Sequence, residues 1–160
     1  MSYRKSHHVT EFGFTLVEML VVVAVVATVA ALGFSAFYST NVAQALEKDT
    51  ARVVASIERA RSLTLSSSAH RQYGVHVEAN KVTIFPGASY SSGNVENQLE
   101  LLTTPVNISS YALSGGGSDI VFDRLTGKTN NAGTITVSLI SSSTVLHIIT
   151  VRSTGLVEVD

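Results

Sequence analysis

The 160-residue sequence contains no cysteine, which excludes a disulfide framework and any thiolate metal site or nucleophile. Cysteine usage therefore carries no signal of redox compartment, and a folded part of this chain must stand on packing alone. Charge is scarce as well. Asp, Glu, Lys and Arg make up 14% of the residues and the formal net charge is -1. Arg4, Lys5 and Glu11 give the first thirteen residues +1, which leaves -2 after Gly13. No basic surplus for general nucleic-acid binding is present. Hydrophobic residues are plentiful at 45%, but they are concentrated near the N-terminus, and the remainder reads as one small domain.

Residues 1–13 are polar, carry Arg4, Lys5, His7 and His8, and have no apolar helical face, so they read as a leader. From Phe14 to Phe37 the only charge is Glu18. The part after Glu18 is long enough to cross a bilayer at roughly 20 residues per span. Basic residues on its N-terminal flank alone place that end in the cytoplasm and the rest outside. No proline or turn cluster follows, so the helix is expected to continue to about Ser66. In this second half Val42, Ala45, Leu46, Val53, Ile57, Ala60 and Leu63 share one face, interrupted by Asp49.

After His70 the period becomes that of strands. Tyr73–Val77 and Lys81–Phe85 form an expected hairpin around Ala79-Asn80. Gln98–Leu102, Val106–Leu113, Asp119–Asp123, Gly133–Ile140, Thr144–Val151 and Leu156–Val159 are further strand candidates, and 86–97 is a loop without period. One long helix followed by short strands predicts an α+β fold, in which a long N-terminal helix, half transmembrane and half amphipathic, packs on an antiparallel β-sheet head. The expected segments are a leader at 1–13, a transmembrane helix at 14–37, an amphipathic helix at 38–68 and a β-rich head at 69–160.

Gly13-Phe14-Thr15-Leu16-Val17-Glu18-Met19-Leu20 stands directly ahead of the apolar run. It resembles the signal of type IV prepilins and type II secretion pseudopilins. The resemblance implies cleavage between Gly13 and Phe14 by a prepilin peptidase, N-methylation of Phe14, and an assembly role for Glu18 opposite the amine of a neighbouring subunit. Two local features agree. Glycine opens the backbone to a peptidase cleft, and a carboxylate at the edge of a hydrocarbon span costs on the order of 2 to 3 kcal/mol, so its retention calls for a use. The competing reading is an interfacial charge that snorkels to the headgroups. Val29-Ala30-Ala31 offers a competing secretory cleavage site, against which Glu18 and the uninterrupted helix argue.

In the second half of the chain, Asp119–Asp123, Gly127, Gly133-Thr134-Ile135-Thr136-Val137, Ile148–Val151 and Thr154–Val159 are similar to the GspH/FimT-type minor pseudopilin domain. The resemblance implies a minor pilin or pseudopilin subunit that assembles into, or primes, a type IV pilus or type II secretion pseudopilus. Its implied partners are the peptidase, other pilin or pseudopilin subunits, an inner-membrane assembly platform and membrane lipid. Its implied place is the inner membrane, crossed once, and then a filament. The alternative is a competence-type pilin whose head binds DNA. The acidic end, Glu158 and Asp160, and the scattered Arg59, Arg61, Arg71, Arg124, Lys128 and Arg152 do not make a DNA-binding stripe. His70, His76 and His147 lack ligand spacing, so no metal is expected. Ser66–Ser68 and Ser141–Ser143 lack a paired base, Gly115–Gly117 lacks a phosphate-loop lysine, and Asn107-Ile108-Ser109 reads as strand. Neither an enzyme activity nor a cofactor is expected.

Overall fold

A computed structural model of the protein describes residues 13–160 and, within them, the side chains of all but residues 33–39 and 143. The expected leader therefore lies outside the described residues, apart from Gly13. Helix α1 runs Leu16–Leu65, and the chain divides into two compact units between Thr40 and Asn41.

In the first unit the side chains from Gly13 to Leu32 are all exposed. Thr28, the polar residue of its valine-rich run, returns its hydroxyl to the Ala24 carbonyl at 2.8 Å, so it carries no unmet donor into an apolar surrounding. Among the described residues no helix is long and apolar enough to cross a membrane. The described apolar side chains run from Leu16 to Leu32, short of the roughly 20 residues a bilayer requires. The rest of the expected span at 14–37 falls on residues whose side chains are not described.

In the second unit α1 contributes Leu46, Val53, Ile57 and Ala60 to the core, with Val42, Ala45 and Leu63 partly buried beside them. That is the stripe expected from its 3.6-residue period. Asp49, the interruption, is fully buried for a structural reason. Its carboxylate accepts the Thr103 backbone N–H at 2.5 Å and Arg52 Nη1 at 3.1 Å, fastening the helix to the loop that leads into β4. A buried carboxylate is tolerated when it is paired and hydrogen-bonded. At the helix end Thr64 donates to Ala60 O at 2.9 Å and accepts from Tyr73 N at 2.9 Å. The turn Ser68–His70 then reverses the chain, with Ser67, Ala69 and His70 at positive φ.

The strands are β1 Tyr73–Glu78, β2 Lys81–Pro86, β3 Gln98–Leu101, β4 Val106–Leu113, β5 Asp119–Val121, β6 Gly133–Leu139, β7 Ser142–Val151 and β8 Val157–Val159. They form two four-stranded antiparallel sheets, ordered β3-β2-β1-β5 and β4-β6-β7-β8. The single sheet of the sequence reading is thus two, because β4 pairs with β6 and β5 turns back to β1. Period-2 alternation aims Val75, Val77, Val82 and Ile84 of one sheet, and Ile135, Val137, Ile149 and Val151 of the other, into one core shared with α1. Burying each such side chain contributes roughly 1.5–3 kcal/mol. The expected strand at 119–123 stops at Val121, because Asp123 is taken by a tight turn in which Gly127 N donates to Asp123 O at 2.9 Å.

Candidate functional site

The segment that sequence reasoning singled out begins where α1 begins. Gly13, Phe14 and Thr15 precede the helix. Thr15 Oγ1 accepts the Glu18 backbone N–H at 3.2 Å, and Thr15 O accepts that of Met19 at 3.2 Å. Thr15 is therefore the N-cap and Glu18 the third helical residue, half of a capping box. An acidic side chain in the first turn also faces the positive end of the helix dipole. The sequence reading missed this role of Thr15, although the Thr-x-x-Glu spacing signals it.

This start leaves the Gly13-Phe14 peptide outside the helix. A Cβ built on Gly13 would meet nothing within 4 Å, and Phe14, Leu16 and Val17 are 78%, 81% and 70% exposed. The scissile bond of the resemblance is thus accessible. The Glu18 carboxylate is exposed and has no partner among the described residues, so any cation that meets it comes from outside this chain's described part. Gly13, Phe14 and Glu18 fall within one short stretch by sequence proximity alone, and no tertiary contact gathers them.

The head contains two side-chain clusters that sequence reasoning did not assemble. In the first, His76 Nδ1 lies 2.5 Å from Asp119 Oδ1 and 3.3 Å from Ser118 Oγ, and Nε2 lies 3.5 Å from Glu78. Tyr90 stacks on the imidazole at 3.8 Å and meets Phe85 edge-on. Asp119 makes the short contact to Nδ1, which Ser118 approaches at longer range, while Glu78 faces Nε2. What the cluster does is hold down the loop at 87–97. Arg71 grips the far end of that loop through a bidentate pair with Glu96, at 2.6 and 2.8 Å. This bond, reinforced by the guanidinium charge, holds the Glu96 carboxyl below the usual carboxylate range. Among the described residues no group of three His, Asp or Glu side chains is arranged to hold a metal ion.

In the second cluster Arg61 Nε donates to Gly127 O at 3.2 Å. Gly155, with φ of 80°, packs so closely that a Cβ there would collide with the Gly127 carbonyl and Arg61. The turns before β6 and β8 are thereby pinned to the end of α1. Gly127 and Gly155, far apart in the chain, meet each other in space.

The prokaryotic N-terminal methylation motif matches residues 10–34. No curated protein matches the chain in sequence. Two crystal structures of the type IV minor pilin FimU of Pseudomonas aeruginosa strain PAO1 are similar in fold. One aligns over 73% of this chain and 90% of FimU at 13% identity, with a TM-score of 0.51. The other, in a second crystal form, aligns over 77% and 90% at 12% identity, with a TM-score of 0.54. The methylation motif at the start of α1 and a fold like that of a type IV minor pilin are thus the two likenesses this chain carries.

Proposed function

We propose that the protein is a minor pilin or pseudopilin subunit, a building part of a filament rather than a catalyst. The observation that carries this reading is the methylation motif standing on the first turn of a helix that also supplies the core of a minor-pilin-like head. In this reading a prepilin peptidase cuts between Gly13 and Phe14 and methylates Phe14. The exposed apolar side chains from Phe14 to Leu32 then lie first in the inner membrane and later against other subunits. An exposed apolar surface of that length requires such a cover. Glu18 would accept the amine of a neighbouring subunit, since a carboxylate among apolar helices is stable only beside a cation.

Intact mass of the membrane-extracted protein tests the processing. The expected species begins at methylated Phe14. A species lacking the first 30 or so residues, or one retaining Met1 in cells with active peptidase, overturns the reading. Glu18→Ala is expected to be processed normally and to be lost from sheared filaments. Equal incorporation would leave Glu18 as an interfacial charge and helix-start residue only.

A further inference from the structure

Among the described residues one buried apolar side chain stands outside the shared core. Phe85 of β2 is 1% exposed, yet it is not part of the cluster that α1 and the two sheets enclose. Register explains this. Val75 and Val77 of β1 and Val82 and Ile84 of β2 face that core, so their neighbours Gly74, His76, Thr83 and Phe85 face the opposite side of the sheet. The Phe85 ring lies across Gly74, where a Cβ would come within 2.6 Å of it. Tyr90 meets both Phe85 and His76. The loop at 87–97 thus roofs a second, smaller layer of packing on the outer face of β1 and β2.

That layer is incompletely paired. Thr83 is 2% exposed, and its hydroxyl has no hydrogen-bond partner among the described residues; nor has the buried Asn97 Oδ1. Orphans of this kind cost free energy that hydration relieves. The roof is also self-contained. Asn94 N donates to Ser91 O, Glu96 N to Asn94 Oδ1, Asn97 N to Asn94 O and Asn97 Nδ2 to Ser91 O. Among the described residues no backbone hydrogen bond joins 88–97 to the rest of the head. Its attachments are the Tyr90 ring contacts and the exposed Arg71–Glu96 pair. At its base Gly87 donates its N–H to Gln72 O at 2.8 Å and turns the chain at φ of 109°, a conformation open to glycine.

We propose that residues 87–97 form a flap that swings off the outer face of β1 and β2 as one piece, with Tyr90 as its plug, while both sheets stay folded. The sheets survive the motion because the core they share lies on their other faces. Opening lets water reach Thr83 and Asn97. It also leaves Phe85 bare on the face that carries Leu99, which lies across from Thr83 and is 52% exposed. The closed flap therefore shortens the apolar strip beside β3, the end strand of its sheet, where a longer strip would invite a foreign strand.

The chain has neither cysteine nor tryptophan, so introduced reporters stand alone. In the full chain held in detergent, T83C puts a thiol under the flap and V137C puts one in the shared core. T83C is expected to react with a maleimide on the order of a hundredfold faster than V137C, because the first needs only local opening and the second needs the whole head to open. Tyr90→Ala should speed T83C about tenfold, and Tyr90→Phe should leave it near the parent rate because the ring contacts survive. Arg71→Ala should speed it about two- to fivefold, as suits an exposed pair. V137C and the melting temperature should not respond to any of the three. Equal rates at the two thiols, or a Tyr90→Ala effect of equal size on both, would show that the loop leaves only when the head unfolds and would overturn the proposal. Since a thiol at position 83 removes the orphan hydroxyl, Tyr90→Trp reads the motion with Thr83 in place. Acrylamide quenching of that single indole should rise with Arg71→Ala and fall with Thr83→Val, which replaces the orphan by a methyl group. Quenching that neither change moves overturns the flap as well.

Discussion

Two stretches of one helix treat the same kinds of residue in opposite ways. In Leu16–Leu32 the valines are exposed, Val21 at 53% and Val23 at 64%, whereas in the head Val53 and Ile57 are at 0%. Valine is a mediocre helix former, so the first stretch owes its helix neither to propensity nor to burial in its own chain. In the filament reading proposed above, the apolar surroundings that would cover it come from outside the chain. The head stretch is helical because a stripe of it completes a core. Apolar content therefore separates the regions less well than the spacing of apolar residues does.

The largest effect that would break this comparison is a truncation at matched positions. Ile57→Ala should destabilise the head by about 2–5 kcal/mol, read as a lower melting temperature of the detergent-solubilised protein. Val23→Ala should leave that melting temperature unchanged. Equal shifts would mean that the two stretches are not energetically distinct. Asp49→Ala sharpens the same point inside the buried stripe, because it strands the Thr103 N–H and should cost about 1–3 kcal/mol. An apolar stripe that merely tolerated Asp49 would be stabilised by the change instead.

The smallest expected effect concerns charge at the surface. Arg71 holds the Glu96 carboxyl below its ordinary range by a hydrogen bond, and Arg152 does the same to Glu158. A group depressed in the folded state contributes above its unfolded value and loses that contribution as pH falls through its folded one. Both latches should therefore weaken on acidification below about pH 4. A nitroxide at S92C should gain mobility between pH 7 and pH 3, and Arg71→Ala should give the same gain at pH 7 with little change in melting, as expected of an exposed pair. Unchanged mobility in both cases would remove Arg71–Glu96 as the tether of the loop.

Much of this was legible in the sequence because it is local. The first hairpin is set by alternation on either side of Ala79-Asn80, and the buried stripe of α1 by its period. The division into two sheets was not legible, since it depends on pairings such as Gly74 with Val121 and Leu113 with Gly133, which no local pattern encodes. The N-terminal methylation motif could be read because its parts are contiguous. The Arg61, Gly127 and Gly155 junction joins residues far apart in the chain, and the loop at 86–97 had no period because side chains at its ends organise it.

That loop has a practical consequence. Its own backbone bonds are short-range turns, Asn94 N to Ser91 O at 3.2 Å and Asn97 N to Asn94 O at 3.2 Å, and its fixed points are Tyr90 and Glu96. Between them Ser91 O also accepts Asn97 Nδ2 at 2.8 Å, but Ser92 is exposed, and a side chain added at Gly93 would meet nothing within 4 Å. An epitope tag or a fluorophore peptide spliced between Ser92 and Gly93 would sit on two side-chain rivets without entering either sheet, which makes this the position at which to label the protein for imaging in intact cells.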